Sequence, residues 1–230
     1  MKWSFKIAEV SGISINIHLT FFLLLFLFGK YFFLAVALFF FITLHELAHS
    51  LVAKKFGIQV REITLLPIGG VSQMEAIPKG HEFAIAVIGP VTSITLGIVL
   101  FLFGSLFGLN MYFDLNWVEL TSLKDIVRIV MSLNFILGLF NIIPAFPMDG
   151  GRVLRAFLAT KMDYLKATEI SVRIGQGLAI VFAFVGVLYN PWLIIIAFFI
   201  YMGGMGEYQS TQMSSALKGI KVKDLMVKDV

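Results

Sequence analysis

His45-Glu46-Leu47-Ala48-His49 sets two imidazoles and a carboxylate into five consecutive residues of a stretch, residues 31–52, that is otherwise almost wholly apolar. On a helix, positions i and i+4 share a face, so both rings can ligate one metal ion, with Glu46 on the adjoining edge to handle the proton of a water activated there. Three ionisable groups in a membrane segment are costly and mark a functional site. The plainer alternative, two surface histidines and a glutamate at the lipid boundary, would leave polar groups buried without partners at a cost on the order of several kcal/mol.

The elements that must position this group belong to a membrane protein. The chain of 230 residues is 59% hydrophobic and 14% charged, with a mean hydropathy of +0.92, whereas soluble domains carry about 25% charged residues. No basic start, short apolar core and small-residue cleavage site mark a signal peptide, so the first apolar helix is expected to be retained. Cysteine is absent, which excludes disulfides, thiolate metal sites and a cysteine nucleophile together. Metal ligands must come from His, Asp or Glu, and the only other histidines are His18 and His81. The net charge of +4 carries no nucleic-acid signal.

Apolar runs predict an all-α polytopic membrane protein of about six spans, at residues 15–29, 31–56, 83–107, 126–146, 170–189 and 192–205, the first and last shorter than the roughly 20 residues a perpendicular helix needs. With both termini in the cytosol, all but Lys30, Lys124 and Arg128 of the 18 basic residues lie inside, as the positive-inside rule requires. Fusing residues 20–44 into one helix, for five spans, would put Lys2 and Lys6 on the wrong side. Two segments read as strands. Residues 2–17 alternate at Trp3, Phe5 and Ile7, and residues 58–74 hold Val60, Ile63, Leu65 and Leu66 before Pro67 and Gly69-Gly70. The second could offer an edge to an unwound substrate, or be a plain cytosolic hairpin.

A catalytic zinc has three protein ligands and one open position, so two histidines need a third partner at their depth. His45 lies about 14 Å from the basic inner boundary at Lys54, at roughly 1.5 Å per residue. Asp149 is the candidate. It follows Pro144 and Pro147, which prevent a regular helix and leave a bend carrying an acid, a construction membrane proteins use for ion sites. Asp114, Glu119 and Asp125 fall on the outer side, and Glu62, Glu75 and Glu82 in inner surface loops. An ordinary Asp-Gly turn is the competing account of Asp149.

His45-Glu46-x-x-His49 in an early span and Asn141-x-x-Pro144-x-x-x-x-Asp149-Gly150 in a later one resemble the site-2 protease family of intramembrane zinc metalloproteases. Both motifs match without departure. Gly89-Pro90, with Ser93 and Gly97, is similar to a family feature that lets helices pack closely. The resemblance covers most of residues 1–205 and is strongest to the compact prokaryotic or archaeal type lacking an inserted PDZ domain. It implies one Zn²⁺ per chain on His45, His49 and Asp149, Glu46 as general base, and Asn141 as oxyanion donor or substrate contact. Asn141 has a second reading as an interhelical hydrogen-bonding amide. The expected activity is hydrolysis of peptide bonds in or near the transmembrane segment of membrane protein substrates, within the lipid bilayer of the cell membrane, with the active site toward the cytosol and no nucleic-acid partner. The short first and last spans are candidate gate elements.

Ile220-Lys221-Val222-Lys223-Asp224-Leu225-Met226 resembles the opening of a CBS domain, against the reading of a solvated basic tail. The chain therefore divides into a protease domain, residues 1–215, and a cytosolic linker with a possible domain start, residues 216–230. An adenine nucleotide would be a partner only if the full-length protein carries CBS domains. The alternative function is a metal-ion transporter using the His/Asp cluster as a transit site, for which the outer half is poor in polar groups beyond Arg128, Ser132 and Asn134. Arg128 is expected to snorkel to the outer surface, and Arg152 and Arg155 to anchor a loop to anionic headgroups. His18 reads as an interface residue and His81 as a cap or surface residue.

Overall fold

The computed structural model of the chain describes residues 3–67, 69–75, 77–114 and 122–217. They form two compact units, residues 1–143 and 144–230. Residues 220–226, where the CBS-like segment falls, lie outside the described residues.

The first unit opens with a hairpin, β1 (Ser4–Val10) and β2 (Ile13–His18), turning through Ser11 and Gly12, both at positive φ. Then come α1 (Leu19–Phe28), a 3-10 turn at Gly29–Tyr31, α2 (Phe32–Lys55), β3 (Val60–Leu66), β4 (Gly69–Met74), α3 (Glu82–Leu106) and α4 (Leu123–Ile142). The strands make one sheet of order β1-β2-β3-β4, in which β2 and β3 are parallel and the outer pairs antiparallel. The expected strands are thus found, but they pair across the chain into a single sheet, so the unit is helical with a small sheet rather than all-α.

The expected span at 15–29 is corrected by β2, which runs through His18. The β-branched period of Ile13, Ile15 and Ile17 wins there, because β1 and β3 flank the strand and satisfy its backbone. His18 then caps α1, its Nδ1 accepting from the Thr20 backbone N–H. Ile13, Ile63, Ile58 and Val60 pack on Ala53 of α2 and Ile85 of α3. Phe21 meets Phe39 edge-on at 4.5 Å beside Leu65. At the C-terminal end of α2, Lys54 donates to the Ser11 carbonyl, so the sheet is fixed to the helix that carries the histidines.

α3 and α4 expose large apolar residues and bury small or polar ones. On α3, Leu102 is 60% and Phe103 56% exposed, while Gly89, Ser93 and Gly97 are buried. That is the membrane pattern, in which small residues let helices approach and lipid covers the bulk. A Cβ on Gly138 of α4 would meet the Pro90 carbonyl oxygen at 3.0 Å. α4 starts in a capping box between Ser122 and Asp125. Arg128 does not snorkel. It is 9% exposed, its Nε donates to the Asn110 carbonyl at 2.7 Å, and its guanidinium lies 4.4 Å over the Tyr112 ring. Asp125, 3.6 Å away on the same face, supplies opposite charge. Turning inward is cheaper than reaching for water because these three partners replace it.

The second unit holds α5 (Asp149–Leu158), α6 (Tyr164–Leu188) and α7 (Trp192–Ala216). α6 turns Ala167, Thr168, Ser171, Gly175, Ala179 and Gly186 inward, and Gly204 of α7 sits where a Cβ would touch Val172 at 3.3 Å. Four helices among the described residues, α2, α3, α4 and α6, are long and apolar enough to cross a membrane. The six expected spans are not all of that kind. The ten residues of α1 cover about 15 Å, and α7 turns polar over Glu207, Gln209, Ser210 and Gln212.

Candidate active site

Within the first unit, α2 presents His45, Glu46 and His49 from consecutive turns. His45 is 3% and His49 6% exposed, and their Nε2 atoms converge to 3.2 Å. Each ring is oriented through its other nitrogen by α3. His49 Nδ1 lies 2.5 Å from the Ile85 carbonyl. A carbonyl oxygen only accepts, so Nδ1 carries the proton and the neutral ring keeps its lone pair on Nε2. His45 Nδ1 lies 2.9 Å from Ser93 Oγ. Fixing a ligand ring through its distal nitrogen is how proteins orient metal-binding histidines.

Gly89 lies between those two partners on α3. A Cβ there would come within 2.1 Å of His49 Nε2 and 2.7 Å of His45 Nε2. The absence of a side chain at Gly89 thus clears the space in front of the converging nitrogens. Two oriented imidazole Nε2 donors with a cleared space before them fit a zinc ion.

Glu46 is half-buried against the edge strand β4. Its Oε2 accepts from Ser72 Oγ at 2.9 Å, and Ser72 in turn accepts from Ser50 Oγ at 3.3 Å. A Cβ on Gly70 would meet Glu46 Cγ at 2.6 Å, so glycine at that position lets the strand backbone lie directly against the carboxylate arm. The hairpin expected after the second helix is therefore a wall of this site.

Asn141 stands in the last turn of α4, its Nδ2 donating to the Leu137 carbonyl at 2.9 Å. The chain then leaves the helix at Ile143, and Phe146-Pro147 is a cis peptide. The bend expected from Pro144 and Pro147 is present, and Asp149 is the first residue of α5 in the second unit. Asp149 is thus a helix N-terminal residue rather than an Asp-Gly turn, since Gly150 and Gly151 continue the helix. The structure brings His45, Glu46 and His49 together in one unit and sets Asp149 at the head of the other. His18 and His81 stand apart from the motif: His81 precedes α3, without a side-chain cap bond, and stacks on Phe56 at 4.2 Å.

Sequence reasoning missed Ile85, Ser50, Ser72 and Gly70, and read Gly89 and Ser93 as packing residues only. A signal for the last two was available. Residues 85, 89 and 93 recur every fourth position, the same period as the two histidines, so one face of α3 matches one face of α2. Ser72 and Gly70 carry no such signal, because their role depends on where β4 folds back.

Residues 33–122 and 108–183 match the model of a family described as peptidase family M50. A zinc metalloprotease of Methanocaldococcus jannaschii is 41% identical over 236 residues, covering 98% of this chain and 67% of its own. The putative zinc metalloprotease Rip3 of Mycobacterium tuberculosis is 32% identical over 194 residues, 79% of this chain and 47% of its own. A putative zinc metalloprotease of Synechocystis is 30% identical, over 84% of this chain and 51% of its own. The chain therefore spans two thirds of the first relative and about half of the other two. A solved site-2 protease from Methanocaldococcus jannaschii aligns with a TM-score of 0.65 at 40% identity, over 90% of this chain and 95% of that one.

Proposed function

This chain belongs to peptidase family M50, the membrane metalloproteases of the site-2 type, and from that premise we propose that it is a zinc enzyme that hydrolyses peptide bonds in or beside the transmembrane segments of membrane proteins. The observation that carries the reading is the pair of imidazoles whose Nε2 atoms converge to 3.2 Å across Gly89, with the Glu46 carboxylate on the next residue of the helix.

In this reading His45, His49 and Asp149 hold one Zn²⁺, which when bound supplies a Lewis acid and a water whose pKa falls to about 7. Glu46 takes a proton from the attacking water and returns it to the leaving amine. Ser72 aims the carboxylate by donating to Oε2. Asn141, whose Nδ2 carries two hydrogens and gives one to the Leu137 carbonyl, donates an amide hydrogen to the developing oxyanion. β4 is one of the two edge strands of the sheet, and its Gly70 lies against Glu46. An unwound substrate segment would therefore add to it as a further strand, its scissile carbonyl held near the base.

The four long apolar helices, with α1 and α7, would make six membrane elements with both termini in the cytosol and the site toward that side, in the protease domain of residues 1–215. Residues 216–230 would be a cytosolic linker. The test is cleavage of a membrane-spanning polypeptide by detergent-purified protein, comparing wild type with Glu46→Gln. Wild type is expected to cleave and the variant to lose activity by about 100-fold or more while binding zinc normally. Equal activity in the two would remove Glu46 as the base. A metal transporter would keep metal movement in Glu46→Gln and show no cleavage in either protein.

A further inference from the structure

The bend that delivers Asp149 is held from three helices of its own unit. Gly151 of α5, Gly175 of α6 and Gly203 of α7 all face it. A Cβ on each would meet the Ala145 carbonyl carbon at 2.7 Å, the Ala145 Cβ at 3.0 Å and the Pro147 Cδ at 2.6 Å respectively. Into this cradle reaches Arg155, two turns along α5 from Asp149. Expected from sequence to anchor lipid headgroups, it is instead 4% exposed. Its guanidinium lies 4.9 Å over the Phe146 ring and 4.9 Å over the Tyr164 ring. Its Nη1 donates to Glu207 Oε1 of α7 at 2.5 Å.

A buried cation is expensive unless paired, and this one is paired in a way that serves the bend. Phe146, 1% exposed, lies three residues before Asp149. Pro144 and Pro147 remove backbone donors from the bend, whose turn bonds include Met148 N–H to the Ala145 carbonyl. Side-chain contacts must therefore hold what a helical ladder cannot. A planar guanidinium can stack on a ring and donate to a carboxylate at once, which an ammonium does not reproduce. We infer that Arg155 is a positioning residue for Asp149: the Glu207–Arg155–Phe146 stack fixes the bend, so that α7 sets the geometry of the ligand. This rests on the reading of Asp149 as a zinc ligand.

The experiment measures zinc affinity by chelator competition, and the absorption spectrum of the cobalt-substituted protein, for the purified full chain in detergent. The set is wild type, Asp149→Asn, Arg155→Met, Arg155→Lys and Glu207→Gln. Arg155→Met and Glu207→Gln are expected to weaken zinc binding by about 10- to 100-fold, the effect typical of residues that orient ligands, and to shift the cobalt bands. Arg155→Lys should fall between them and wild type, and in cleavage assays kcat should drop while KM holds. A role in folding alone would lower the melting midpoint and leave the cobalt spectrum untouched. Wild-type affinity and spectrum in both Arg155→Met and Glu207→Gln, with Asp149→Asn impaired, would overturn the positioning role and leave the ligand reading standing. Wild-type affinity in Asp149→Asn would remove the ligand reading, and this inference with it. If Arg155→Met does not fold, Glu207→Gln decides the same question.

Discussion

At the scale of single residues, the site is built as much from absent side chains as from present ones. His45 and His49 can be oriented by Ser93 and the Ile85 carbonyl only because Gly89 gives way between them. Gly89→Ala is therefore expected to weaken zinc binding by at least about 10-fold, read as metal content after dialysis against a weak chelator. The added methyl would lie 2.1 Å from His49 Nε2, and the ring cannot move without losing the Ile85 carbonyl. Around Glu46, the proposed base, the expectation differs. Ser72→Ala removes the hydroxyl that aims Glu46 without touching a ligand ring. It should lower kcat by about 10-fold through misplacement of the base, with zinc content and KM unchanged. A fall in zinc content would mean that Ser72 supports the metal rather than the proton transfer.

At the scale of elements, motifs and fold were legible to different degrees. The helix carrying H-E-x-x-H is plain in the sequence, because an unbroken apolar run with two histidines four apart admits no other period. Strand β2 is harder to see, since an Ile-x-Ile-x-Ile segment running into Leu-Thr-Phe-Phe reads as the start of a span. There the strand expected over residues 2–17 overlaps the span expected over residues 15–29, and pairing with β1 and β3 carries the strand through His18. The two arginines were misread for a shared reason. An arginine near a predicted membrane boundary is expected to reach water, and nothing local reveals that Tyr112 or Glu207 will fold over it. For Arg128 the consequence is measurable. Arg128→Met should destabilise the first unit by about 2 kcal/mol, the worth of hydrogen bonds from a charged group, seen as a lower thermal midpoint in detergent. Cleavage at temperatures below that midpoint should persist, because the cluster lies about 20 Å along α4 from Asn141.

At the scale of the whole molecule, the reading is a membrane protease with its basic residues concentrated on one side. The absence of cysteine makes the topology directly testable with single introduced thiols. Asn110→Cys, between α3 and α4, is expected to react with an impermeant maleimide on intact cells. Ser215→Cys, at the end of α7, should react only after the membrane is opened. The opposite pattern would invert the proposed orientation and place the zinc site toward the outside.

The sequence alone determined which groups are available: two histidines on one helical face with a glutamate beside them, an acid after a proline-broken helix, and a chain built for lipid. These follow from residue type and from periodicities of 3.6 and 2, which are local properties. The tertiary structure alone decided what surrounds those groups. It set Gly89 before the imidazoles, laid β4 along Glu46, and turned Arg155 inward between two rings. Those placements join residues tens of positions apart, as with His45 and Ser93 or Arg155 and Glu207. They arise from packing complementarity between elements, which no window of neighbouring residues encodes.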